Sequence, residues 1–143
     1  MNHFLVNKWE VVFMFLHVLT EEAKRKFIEL VYKVANSDHA YTEDEQEVVN
    51  NYKLELGIDE IPDTDTIEHL LQYFGGQSVD IQKIVYFEIY GMIICDEKLS
   101  NEEKEILDVM TNQFSLSNDK ITEIIIAVKG LQQAYKAVYD AVF

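Results

Sequence analysis

Four carboxylates stand at matching intervals in this chain: Asp38 and Glu45, then Asp96 and Glu103. Each pair closes one pattern: Asp, two variable residues, a large side chain, Thr or Ser, two more residues, then Glu. The two stretches are Asp38-His39-Ala40-Tyr41-Thr42-Glu43-Asp44-Glu45 and Asp96-Glu97-Lys98-Leu99-Ser100-Asn101-Glu102-Glu103, offset by 58 positions. Two like charges about 4 Å apart repel by roughly 4 kcal/mol at an effective dielectric of about 20. If the four groups converge, protonation or a bound cation must relieve that repulsion. Oxygen-only ligands suit Ca²⁺, Mg²⁺ or Mn²⁺ rather than zinc. A second reading needs no cation. Thr42 and Ser100 are good helix N-caps, and Glu45 and Glu103 follow three residues later, which makes two capping boxes. Asp38 and Asp96 then only shape the turns.

Other chemistries are poorly served. An EF-hand loop needs oxygen ligands at alternate positions, Gly at the sixth and Glu at the twelfth. Counted from Asp38, Ala40 fills the third position and the glutamate comes eighth. His39 adjoins Asp38, but the second copy has Glu97 there, which suits an exposed turn residue. His3, His17 and His69 lack zinc spacing, and there is no glycine-rich phosphate loop. Cys95, the only cysteine, excludes an intrachain disulfide and points to a reducing, cytoplasmic setting. Its apolar and acidic neighbours disfavour a thiolate nucleophile. No nucleophile–base pair is evident, so a non-enzyme without an organic cofactor is expected.

The elements that must position these residues are helical. The sliding match continues beyond the motifs: Val31 to Val34 falls over Ile89 to Met92, Val48-Val49 over Ile106-Leu107, and Leu56 to Ile58 over Phe114 to Leu116. Each copy reads as an apolar helix, a turn and an amphipathic helix, with repeats at about 27–58 and 85–116. Residues 4–19 form a strongly apolar run. Lys8, Glu10 and His17 make it too short and too charged to span a membrane. Leu5, Trp9, Val12, Phe13 and Leu16 share one helical face, and Val11, Met14, Phe15 and Val18 cover the other. Such a helix is either enclosed by its own chain or half of an oligomer contact.

Thr20 caps a helix running to about Asn36, and the next spans about Glu43 to Leu56, stopped by Gly57. Asp65 and Glu68 read as a capping box for a short helix ending at Gly75-Gly76. Ser78 opens a helix that is nearly all apolar from Ile84 to Cys95. Another follows from Asn101 to about Gln113. The last begins at Ser117 or Asn118, and Gly130 breaks or kinks it. Trp9, Phe13, Leu30, Val34, Ile84, Ile89, Met92, Leu107 and Ile125 are the expected core. The reading is all-α: one domain, residues 1–143, a bundle of roughly seven helices with a pseudo-twofold repeat of helix–turn–helix units.

Composition narrows the partners. Twenty-six acidic residues against twelve basic ones give a formal net charge of −14. That opposes nucleic acid, which needs clustered Lys and Arg, and opposes anionic lipid. It fits cations or a basic protein partner. The expected state is a monomer or a weak homodimer.

The stretches Ala35-Asn36-Ser37-Asp38 to Glu45 and Ile94-Cys95-Asp96 to Glu103 resemble TerB-like domains, named for tellurite-resistance protein B. The resemblance covers about residues 20–143. It implies a compact all-helical fold whose acidic residues, here Asp38, Glu45, Asp96 and Glu103, hold a metal ion. It also implies roles in tellurite or other chemical-stress response, phage defence, or as a module in larger assemblies. His39 and Glu97 stand where that family has Gly, so the turn is altered or strain is accepted. Two functions follow: a non-catalytic module that holds a divalent cation and docks a protein, or a purely structural interaction domain with no metal.

Overall fold

A computed structural model describes residues 13–37, 43–94 and 99–143, without the side chains of Phe13, Met14 and Asp44. Its described residues are all-helical, with no strand. A 3-10 segment, Phe13–Val18, precedes six α-helices: α1 Glu21–Ala35, α2 Glu43–Leu56, α3 Ile67–Gly75, α4 Val79–Ile93, α5 Asn101–Gln113 and α6 Asn118–Val142. No described helix is long and apolar enough to cross a membrane.

Local chemistry sets the helix ends. The hydroxyls of Thr20, Thr66, Ser78, Ser100 and Ser117 each accept the backbone N–H three residues on. Each such cap contributes about 1 kcal/mol. Gly57, with φ 68°, ends α2 in the left-handed region that glycine enters freely. At α3 the cap is Thr66, not the expected Asp65. Asp65 is held elsewhere: Lys26 Nζ lies 3.0 Å from its Oδ2, and its backbone N–H donates to Glu29 at 2.8 Å. The long-range ion pair outcompetes the local cap.

Helices α1 and α2 pack closely, α3 lies on α1, and α5 on α3. The apolar α4 is central, touching α1, α3, α5, α6 and the 3-10 segment. One core joins all of them. Leu30, Val34, Ile89 and Met92 lie in it as expected. Ile84, Leu107 and Ile125 are only partly buried against its edge. They sit on helix flanks, where a stripe assigned from spacing alone runs too wide. Trp9 lies outside the described residues. So does most of the expected 4–19 helix; its described end, Phe13–Val18, is a 3-10 turn with Leu16 buried and Phe15 and Val18 exposed. Helix α6 runs through Gly130 unbroken.

The bounds of α4 and the start of α5 fall 58 positions after those of α1 and α2, and Ser78 stands in the place of Thr20. Burial follows the same offset. Phe27 and Val85, Val31 and Ile89, Val34 and Met92, Val48 and Ile106, and Tyr52 and Met110 are buried in both copies. Several positions differ in kind: at this offset Leu30 falls on Glu88, Glu29 on Phe87 and Lys24 on Gln82.

Candidate functional site at the helix starts

Glu103 occupies the third position of α5 and closes the expected capping box. Its N–H donates to Ser100 Oγ at 3.1 Å, and its Oε1 accepts the Ser100 N–H at 3.0 Å. Glu45 holds the same position in α2. Both carboxylates are withdrawn from solvent, at 7% and 9% exposure. A glutamate in a first turn ordinarily projects into water, so these two are drawn inward by their surroundings. Thr42, Asp38 and Asp96 lie outside the described residues, as do His39, Cys95 and Glu97. Helices α2 and α5 are not among the pairs in extended contact. Among the described residues no group of three or more His, Cys, Asp or Glu could hold a metal ion.

One cavity nevertheless brings the turn after α1 close to the start of α5. It is lined by Ser37 from the turn after α1, by Ile67, Glu68 and Leu71 of α3, and by Glu102, Glu105, Ile106 and Val109 of α5. Ser37 directly precedes Asp38, and Glu102 directly precedes Glu103. The end of the first copy's leading helix thus meets the start of the second copy's trailing helix. The donors this corner could offer are carboxylates and a hydroxyl, which fit a hard cation and not a soft one.

Three buried polar side chains escaped the sequence reading, because none belongs to a motif. Glu29 Oε2 accepts Lys33 Nζ at 2.9 Å and the N–H groups of Thr64 and Asp65 at 2.8 Å; its Oε1 accepts the Thr64 hydroxyl at 2.9 Å. Burial pushes this carboxyl up, but Lys33 and those donors hold it down to about 2. Lys33 continues the knot to Asp63 Oδ1 at 2.9 Å and to the Asp65 carbonyl. Gln82 of α4 anchors a loop in a comparable way, though it stands 58 positions after Lys24 and not after Glu29. Its amide donates to the carbonyls of Gly75 and Gln77 at 3.1 Å, and its Oε1 accepts the Ser115 N–H at 2.7 Å. Helix α1 therefore anchors the loop after α2, and α4 the loop after α5.

Glu88 is different. It is fully buried in α4, its Oε2 accepts the Tyr52 hydroxyl at 2.9 Å, and its Oε1 has no hydrogen-bond partner among the described residues. Desolvation drives its pKa well above the ordinary carboxylate value; the Tyr52 hydrogen bond opposes this and the Glu55 charge adds to it. The only signal in the sequence was its place in line with Val85, Ile89 and Met92.

Together the fold and the corner define an all-helical bundle with an acidic groove between the end of α1 and the start of α5. Comparison with known proteins finds no matching family model, no matching curated protein and no matching solved structure.

Proposed function

We propose that this protein is a non-catalytic, TerB-like binding module that holds a divalent cation between its two helix–turn–helix copies and docks a protein partner. Asp38, Glu45, Asp96 and Glu103 are the residues that would hold the ion, and Ca²⁺, Mg²⁺ or Mn²⁺ fits their oxygen donors. The observation that carries the reading is the shared cavity of Ser37 with Glu102, Glu105 and Ile106. It sets the neighbours of Asp38 and Glu103 side by side. The 58-position offset in helix bounds, caps and burial supports a pseudo-twofold relation between the copies. The TerB-like resemblance would set such a module in tellurite or other chemical-stress response. A second reading, a structural interaction domain without a metal, is favoured by the Glu103 capping bonds, which give that carboxylate a sufficient local role.

Melting curves separate the two. A cation that binds only the folded state stabilises it by about 2.7 kcal/mol at a hundredfold excess over its Kd. A specific site predicts that Asp38→Asn and Asp96→Asn each abolish the Ca²⁺-, Mg²⁺- or Mn²⁺-dependent shift, while Glu21→Gln, at an exposed position on α1, leaves it intact. Diffuse binding to an acidic protein predicts equal small losses from all three. A melting temperature indifferent to all three ions, with Asp38→Asn destabilising in their absence, would leave the aspartate a turn residue.

A further inference from the structure

The corner cavity has a second character besides its charge. Its floor is apolar, made by Ile67 and Leu71 of α3 and Ile106 and Val109 of α5, while Glu68, Glu102 and Glu105 stand exposed around it. Its volume is about 270 Å³, room for one long side chain rather than a cofactor. None of the three glutamates forms an ion pair among the described residues. By contrast Glu21, Glu29, Asp63, Asp65, Asp80, Glu123 and Asp140 each hold a lysine. Lys104, on the same helix as Glu102 and Glu105, pairs with neither of them among the described residues, so the rim presents three exposed carboxylates to an incoming cation.

We propose that this groove is the protein-docking surface and that its occupant is an arginine side chain, next to an apolar residue, on a basic segment of the partner. The proposal rests on the docking half of the function proposed above and names the partner's chemistry. An arginine stem lies well on an apolar floor while its head stays among the charges. The planar guanidinium can grip two carboxylates at once, which a lysine ammonium cannot do in the same geometry. The net charge of −14 raises the encounter rate with a basic segment, an effect that salt weakens. An acidic peptide is repelled by the same field.

Methyl and amide NMR of the full chain tests this, with acetyl-Leu-Arg-amide as the probe and acetyl-Leu-Glu-amide as the control. The expected result is a saturable shift of Leu71, Ile106 and Val109 with the arginine peptide and none with the glutamate peptide. The double variant Glu102→Gln/Glu105→Gln, exposed on α5 and checked for an unchanged amide spectrum elsewhere, should weaken that binding at least about tenfold. Glu21→Gln should not change it. Non-saturating shifts spread over the acidic surface, equal loss from both sets of variants, or equal response to both peptides would overturn the proposal. The two halves fail separately. Saturable peptide shifts with no cation-dependent melting would remove the metal and keep the docking site. A cation shift abolished by Asp38→Asn, with no saturable peptide binding, would remove this inference and keep the metal.

Discussion

Glu29 and Glu88 are both sealed from water, yet their surroundings push their carboxyls in opposite directions. Glu29 has four donors, one of them a lysine, so its charged form is favoured in the fold. Its pKa of about 2 lies below the ordinary value of 4.5. The stability it contributes is therefore fully present above pH 4.5 and fades as pH falls toward 2. The shift corresponds to roughly 3 kcal/mol. Urea unfolding of Glu29→Gln against wild type should show a large deficit at pH 7 that shrinks toward pH 2.5. A deficit independent of pH would mean the carboxylate charge is not what holds the loop. Glu88 runs the other way. Its folded pKa is raised, so above pH 4.5 the unfolded chain ionises first and stability falls as pH rises toward the folded value. Each pH unit in that window costs about 1.4 kcal/mol. Glu88→Gln keeps an acceptor for Tyr52 and cannot ionise. It should match wild type near pH 4 and exceed it at pH 8; identical pH slopes would show that Glu88 is hydrated after all.

At the scale of elements, two glycines make opposite predictions. Gly75 ends α3 where that helix meets α5, and an added Cβ would lie 2.7 Å from the Gln113 carbonyl oxygen. Backbone cannot yield as a side chain can, so Gly75→Ala should lower the melting temperature and loosen the floor of the acidic groove. Gly130 sits within α6 with nothing within 4 Å of its would-be Cβ. Gly130→Ala should stabilise by about 0.5–1 kcal/mol, since glycine gives up more chain entropy on entering a helix. Thermal melts of the two variants check both signs. A stabilising Gly75→Ala would show that α3 and α5 are further apart than described.

For the whole molecule the dominant quantity is charge. With a net −14 the folded chain repels itself, and the described ion pairs are mostly exposed contacts between neighbours on one helix, each contributing little. Screening should help: the Debye length falls from about 30 Å at 0.01 M to about 10 Å at 0.1 M salt. Raising NaCl across that range should raise the melting temperature by a few degrees, on the order of 1 kcal/mol. A fall would mean that the ion pairs outweigh the repulsion, with the Glu29–Lys33–Asp63 knot the first place to look.

Much of this molecule was legible in the chain itself. Helix starts at Thr20, Ser78, Ser100 and Ser117, the stop at Gly57, and the capping box of Ser100 with Glu103 depend on groups within four residues, which sequence states outright. The inward faces of α1 and α4 were legible for the same reason, since apolar spacing records which side of a helix turns to the core. What spacing could not fix was anything decided across the chain. Asp65 lost its capping role to Thr66 because Lys26, 39 positions away, takes its carboxylate. The carboxyls of Glu29 and Glu88 are pushed in opposite directions because Lys33 and the 64–65 loop hold the first down, while burial drives the second up against the Tyr52 hydrogen bond. The acidic groove exists because α3 and α5 pack side by side. A side chain's charge, burial and usefulness are set by neighbours in space, and those neighbours come from the packing of helices whose order along the chain does not name their contacts.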